Sequence, residues 1–190
     1  GALLSAVVEI GPRALGAALT SPAVLRPLGT SLGLAALAVG VNAVVGSVGA
    51  VTLTRRRSRI APLVEALGDL PLAISPVMTG LAFLLLFGRD GVLAPLAGAL
   101  DLQVVFALPG VALVTLFVTL PYALRESTHL LRELGFAEEE AAATLGATGL
   151  QTFWRVTLPK MRPALERGLA MTAARSLGEF GAVLIVGGSI

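Results

Sequence analysis

Uncharged apolar runs alternate with short charged stretches along most of the chain. Residues 27–54, 70–88 and 102–124 carry no charge, and a last apolar segment near 164–187 holds Arg175 and Glu179. A membrane-crossing helix needs about 20 apolar residues, at about 1.5 Å each, to traverse about 30 Å of hydrocarbon. The pattern therefore predicts spans near 27–54, 66–88, 102–124 and 164–187. Residues 1–26 are broken by Pro12 and Pro22 and carry Glu9, Arg13 and Arg26. They are expected to form a periplasmic or interfacial linker, followed by one transmembrane domain over 27–190. The fold class expected is all-α, a polytopic membrane helix bundle.

Details within the runs refine this picture. The first is rich in glycine (Gly29, Gly33, Gly40, Gly46, Gly49), which permits close helix packing in a membrane. Asn42 in its middle needs a polar partner, either a neighbouring helix or a substrate. Pro71 and Pro76 predict a kink or a broken helix near Pro76, because neighbours in a bundle can satisfy the freed carbonyls. Glu65 and Asp69, four apart, share one helix face.

Composition agrees with a membrane setting. The 190 residues are 55% hydrophobic and 14% charged, against about 25% charged in a soluble domain. Mean hydropathy is +0.87. There is no cysteine, hence no disulfide framework or thiolate metal site, and the one histidine, His129, is a poor basis for an imidazole metal site. The net charge of +2 does not point to nucleic acid. The arginines flank apolar runs, and few aromatics are available for base stacking. Arg55, Arg56, Arg57 and Arg59 follow the first span, and Arg125, Arg132, Arg155, Lys160, Arg162 and Arg167 lie in 125–167. These are ten of the fourteen basic residues, and the excess of Lys and Arg places both segments in the cytoplasm. The start lacks a signal-peptide pattern. The chain opens on Gly1 and stops at Ile190 in mid-pattern, so it is expected to be a piece of a longer protein.

The most informative stretch is Glu140 to Pro159. It predicts a short helix with an acidic start, a glycine break at Gly146, a second short helix from about Leu150, and a proline stop at Pro159. Taken alone it is compatible with an ordinary helix-turn-helix surface loop. Its spacing is Glu140-Ala141-Ala142, three residues, Gly146, nine residues, Val156, one residue, Leu158-Pro159. That spacing resembles the EAA loop of ABC-type import permeases, with Val156 where isoleucine is often found.

The resemblance implies the transmembrane domain of a type I ABC importer. It also implies that 125–163 forms a cytoplasmic loop whose coupling helix docks on an ATPase subunit. The chain has no phosphate-cradling G-x-x-x-x-G-K-[ST] sequence. No cofactor is therefore expected in this chain; ATP and Mg²⁺ would be bound by the partner ATPase.

Two further stretches narrow the resemblance. Gly68-Asp69-Leu70-Pro71, Ile74-Ser75-Pro76-Val77, Gly80-Leu81 and Leu86-Phe87-Gly88 look like a stretch of sulfate-type permeases. Residues 174–183 with Gly187-Gly188-Ser189-Ile190 resemble a segment shared by sulfate and molybdate permeases. Together they imply a multi-pass permease subunit of a sulfate/thiosulfate importer in the bacterial inner membrane. A molybdate or tungstate permease is the alternative within the class. The implied partners are a cytoplasmic ATPase dimer, a paralogous permease and a periplasmic sulfate-binding protein. The family implies more spans than the four counted, with one expected before Gly1 and one after Ile190.

Arg175 and Glu179 lie on one face of the last span. Ionisable groups at that depth usually face the bundle interior and pair. They either line or gate an anion path or lock two helices together. A membrane enzyme using Glu179 would need a second catalytic group, and the spans offer no His, Cys or Asp at mid-membrane. A purely structural membrane protein leaves the Glu140–Pro159 spacing unexplained.

Overall fold

Long apolar runs without a breaker form long helices, and the first of these, α1 (Pro22–Arg55), covers the whole first run. In the computed structural model, which describes residues 21–55, 61–89, 91–99, 104 and 107–178, all the regular elements are helical. α2 (Ala61–Ala73), α3 (Pro76–Phe87) and the short α4 (Ala94–Ala99) follow. Then come α5 (Leu108–Leu134), α6 (Ala137–Thr144), α7 (Gly149–Thr152), a π-helical segment (Phe153–Thr157) and α8 (Leu158–Leu177). Among the described residues, α1 and α5 are long and apolar enough to cross a membrane, and α2 with α3 make a third candidate if that bent pair is one span.

Several boundaries differ from the sequence expectation. α1 begins at Pro22, not at 27, because a first-turn proline lacks only an N–H that would have no helical partner. The helix break expected at Pro76 is a turn of 115° between α2 and α3. Ser75 is extended (φ −65°, ψ 147°), as a residue before proline favours, and its Oγ accepts the Met78 N–H at 3.4 Å. α5 does not stop at 124. No breaker intervenes before Gly135, whose φ of 65° suits glycine, so residues 125–134 extend the third span instead of opening the loop. The last helix spans Leu158–Leu177, and residues 179–190 lie outside the described part.

The expected stop at Pro159 is also corrected: Pro159 starts a helix. It occupies the first turn of α8, and helical backbone runs unbroken from Gly149 to Leu177. In a regular α-helix the proline ring would press on the Arg155 carbonyl, four residues back. The preceding turn is instead π-helical, with the Leu158 N–H bonded five residues back to Phe153 O. The wider turn makes room for the ring.

α1, α5 and α8 pack on one another and form the core, with α2 and α3 against α5. The tightest point is Ala123 of α5, fully buried. A Cβ on Gly168 would lie 2.6 Å from Ala123 Cα and 2.8 Å from Tyr122 O, and one on Gly46 would lie 2.8 Å from Ala123 Cβ. Two glycines thus let α1 and α8 approach the α5 backbone from either side. Towards the loop end of the bundle, Ala50, Leu131 and Met161 form a closed apolar cluster with Leu158 against it.

Two polar side chains of the core are linked across helices, while Asn42 Oδ1 and Ser127 Oγ are buried without a hydrogen-bond partner. Asn42 Nδ2 donates to Thr119 Oγ1 at 2.8 Å, the helix-to-helix option of the two open for this residue. Thr119 Oγ1 in turn donates to Thr115 O at 2.7 Å.

Candidate functional site

The stretch singled out by its spacing folds as an elbow at one end of the core. Gly135 turns the chain out of α5, and α6 starts with Glu138, Glu139 and Glu140 in its first turn, where unpaired N–H groups favour negative charge. α6 ends in a two-bond glycine cap. The Ala147 N–H reaches Ala142 O and the Gly146 N–H reaches Ala143 O, both at 3.0 Å. Gly146 has φ 83°, and a Cβ there would meet nothing within 4 Å. The demand for glycine is therefore conformational. Gly146→Ala is expected to cost about 1–2 kcal/mol, read as a roughly tenfold loss of hydrogen-exchange protection at the Ala147 amide.

A reciprocal cap opens α7. The Gln151 N–H donates to Thr148 Oγ1 at 3.3 Å, and the Thr148 N–H donates to Gln151 Oε1 at 2.9 Å. From there the backbone runs through the π segment into α8, so the elbow is continuous with a core helix.

Three side chains from three elements fasten the elbow to the bundle. Arg55, in the last turn of α1, lies 3.1 Å from Glu139 Oε1. Thr157 Oγ1 donates to the same oxygen at 2.5 Å and accepts from Arg55 Nη2 at 2.8 Å. Glu139 is 7% exposed and Thr157 fully buried. A buried carboxylate is tolerable only when paired and hydrogen-bonded, and here it is both. On the other side, Lys160 Nζ donates to Gly135 O at 3.3 Å and lies 3.4 Å from Glu138 Oε2.

The opposite face of the elbow is open and apolar. Leu145 is 88% exposed, Leu150 70% and Trp154 60%. Phe153 and Trp154 meet edge to face, centroids 5.4 Å apart. A groove of about 370 Å³ beside α6 and α7 is lined by Arg55, Phe136, Glu139, Glu140, Ala143, Ala147, Gly149 and Thr152, so it reaches back to the Arg55–Glu139 contact.

The seven motif residues separate on this elbow. Glu140, Ala141, Gly146 and Pro159 are exposed, and Ala142, Val156 and Leu158 are half-buried. Leu158 packs inward on the Ala50–Leu131–Met161 cluster. Glu139, Thr157 and Arg55 were not singled out by spacing, although Arg55 opens the arginine cluster and Glu139 adjoins the motif. Arg175 is half-buried in the last turn of α8, and Glu179, its expected partner, lies outside the described residues.

A second charged region lies between α2 and α5, a cleft of about 530 Å³. Glu65 pairs with Arg132, and Asp69 lies 3.9 Å from Arg125. The two carboxylates on one α2 face thus meet two arginines on α5. Among the described residues no group of three His, Cys, Asp or Glu side chains is placed to hold a metal ion.

Residues 42–190 match the family described as "Binding-protein-dependent transport system inner membrane component". The chain is 47% identical over 154 residues to the sulfate transport system permease protein CysW of Synechococcus elongatus, covering 81% of this chain and 54% of that protein. It is 45% identical over 175 residues to CysW of Escherichia coli K12, covering 90% of this chain and 59% of that protein. The sulfate transport system permease protein CysT of the same organism is 39% identical over 172 residues, covering 90% and 62%. The chain spans about half the length of the curated relatives it matches.

Proposed function

The chain belongs to the family of binding-protein-dependent transport system inner membrane components, and from that premise we propose that it is part of a permease subunit of an ATP-driven sulfate/thiosulfate importer. The protein sits in the bacterial inner membrane. It works with a paralogous permease, a cytoplasmic ATPase dimer that binds ATP and Mg²⁺, and a periplasmic sulfate-binding protein. Transport, not catalysis, is its task.

One observation carries the coupling part of this reading. The elbow presents Leu145, Leu150 and Trp154 outward while its backbone continues directly into α8. A motor that grips the exposed side moves α8 as a rod. α8 meets α5 at Gly168 and Ala123, where no slack exists, so the displacement enters the core instead of being lost in a flexible joint. The spans then rock between inward-open and outward-open arrangements. The substrate part is supported by the likeness to CysW and CysT.

The full-length permease, assembled in vesicles with its second permease, ATPase and binding protein, is expected to take up labelled sulfate only with ATP, and uptake should resist excess molybdate. Uptake without ATP would reject the importer. Uptake abolished by molybdate, with molybdate itself carried, would reject the sulfate assignment.

A further inference from the structure

We propose that Arg55, Glu139 and Thr157 form a clasp that sets the efficiency with which movement of the elbow is converted into movement of the spans. All three are positioning residues, joined to one another across three elements. The proposal rests on the coupling reading above and names residues outside the Glu140–Pro159 motif.

The geometry is specific. α6 lies between Gly135 and Gly146, both at positive φ, so its ends are turns with little stiffness of their own. A short helix hung between two glycine turns would tilt when pulled. Two ion pairs prevent this. Glu138 reaches Lys160 at the start of α8, and Glu139 reaches Arg55 at the end of α1. The Glu139 contact is the buried one, and it carries the Thr157 hydroxyl as a bridge between carboxylate and guanidinium. One oxygen, Glu139 Oε1, therefore joins α6 to the last turn of the first span and to the π turn that feeds α8. A pull on α6 is shared between α1 and α8, two of the three core helices.

Glu139, Glu140 and the exposed apolar face divide the labour. Glu139 points into the bundle at 7% exposure, while Glu140, one residue on, is exposed. Removing the clasp should leave the docking face present and the motor engaged, but let α6 yield under load.

The test compares Thr157→Val, which keeps the side-chain shape and deletes the hydroxyl, with Thr157→Ser, which keeps it, and with Glu139→Gln. Each full-length permease is assembled with its partners in vesicles, and ATP hydrolysed and anion carried are counted together. Thr157→Val and Glu139→Gln are expected to keep hydrolysis within about twofold of the unchanged protein while anion carried per ATP falls roughly 2- to 30-fold, the span of measured coupling effects. Thr157→Ser should restore the ratio.

Hydrolysis and uptake falling in step, with the ratio constant, would overturn the clasp and leave a merely structural contact. Thr157→Ser as defective as Thr157→Val would overturn it too. The ratio is read for whichever anion the unchanged complex carries. Molybdate carried in place of sulfate would thus remove the substrate assignment and still decide the clasp. An unchanged complex that carries no anion would overturn both.

Discussion

Gly168→Ala is expected to destabilise the full-length permease by about 1–3 kcal/mol, the usual cost of forcing an extra methyl into a packed core. The added Cβ would stand 2.6 Å from Ala123 Cα, 2.8 Å from Tyr122 O and 3.0 Å from Ala123 N. All three are backbone atoms, so no side chain can rotate out of the way and the two helices must separate. Separation would loosen the contact through which α8 drives α5, so transport should fall further than stability alone predicts. Gly33→Ala supplies the contrast, because a Cβ there meets nothing within 4 Å. Alanine in a helix interior is favoured over glycine by about 0.5–1 kcal/mol, so this change should be neutral or stabilising. Thermal unfolding in detergent, followed for both variants, checks the opposite signs. Equal midpoints would mean that helix proximity at Ala123 is not what requires glycine.

Leu150→Glu combined with Trp154→Glu is expected to detach the ATPase while leaving the permease inserted and folded. Both side chains are more than half exposed, and exposed substitutions usually change stability by no more than about 0.5 kcal/mol. A buried apolar anchor at an interface is worth about 2 kcal/mol or more when lost, about 30-fold in affinity. Replacing two such anchors by carboxylates adds the cost of burying unpaired charge. Co-purification of the ATPase with the detergent-solubilised variant is the measurement. Loss of binding at unchanged permease yield is the expected result, and undiminished binding would move the docking face elsewhere.

Much of this arrangement was legible in the residues. The three uncharged runs, the broken helix at Pro76 and the glycine turn at Gly146 each follow from a local rule that nothing in the fold overrides. The ends of elements were less legible. α5 runs on to Leu134 because charged residues do not stop a helix; they stop only its apolar character, and the run was read by charge. By local rules Pro159 is a terminator, yet a proline ends the helix before it only if the chain has no wider turn available. The π turn at Phe153–Thr157 supplies one.

The clasp could not be read from spacing. Arg55 lies 102 residues from Thr157 in sequence, and their contact exists only once α1 and α8 are packed. Glu139 and Glu140 look equivalent in a run of three acids. Helix phase turns one inward and the next outward, and the phase is set by Gly135, the turn before them. The exposed Leu145, Leu150 and Trp154 read as ordinary helix residues until the bundle shows that no part of the described chain covers them.

The central claim is that the Glu140–Pro159 elbow faces the cytoplasm and is gripped there by a motor. These 190 residues contain no cysteine, so Leu145→Cys, with any cysteine elsewhere in the full-length permease replaced by serine, introduces one thiol at the most exposed apolar position of the elbow. It would be probed with a membrane-impermeant maleimide in the full-length permease. Labelling is predicted in inverted vesicles stripped of ATPase, with protection when the ATPase is added back and no labelling in intact cells whose outer membrane has been opened. Labelling from the outside, or labelling in inverted vesicles that the ATPase does not reduce, would contradict the account.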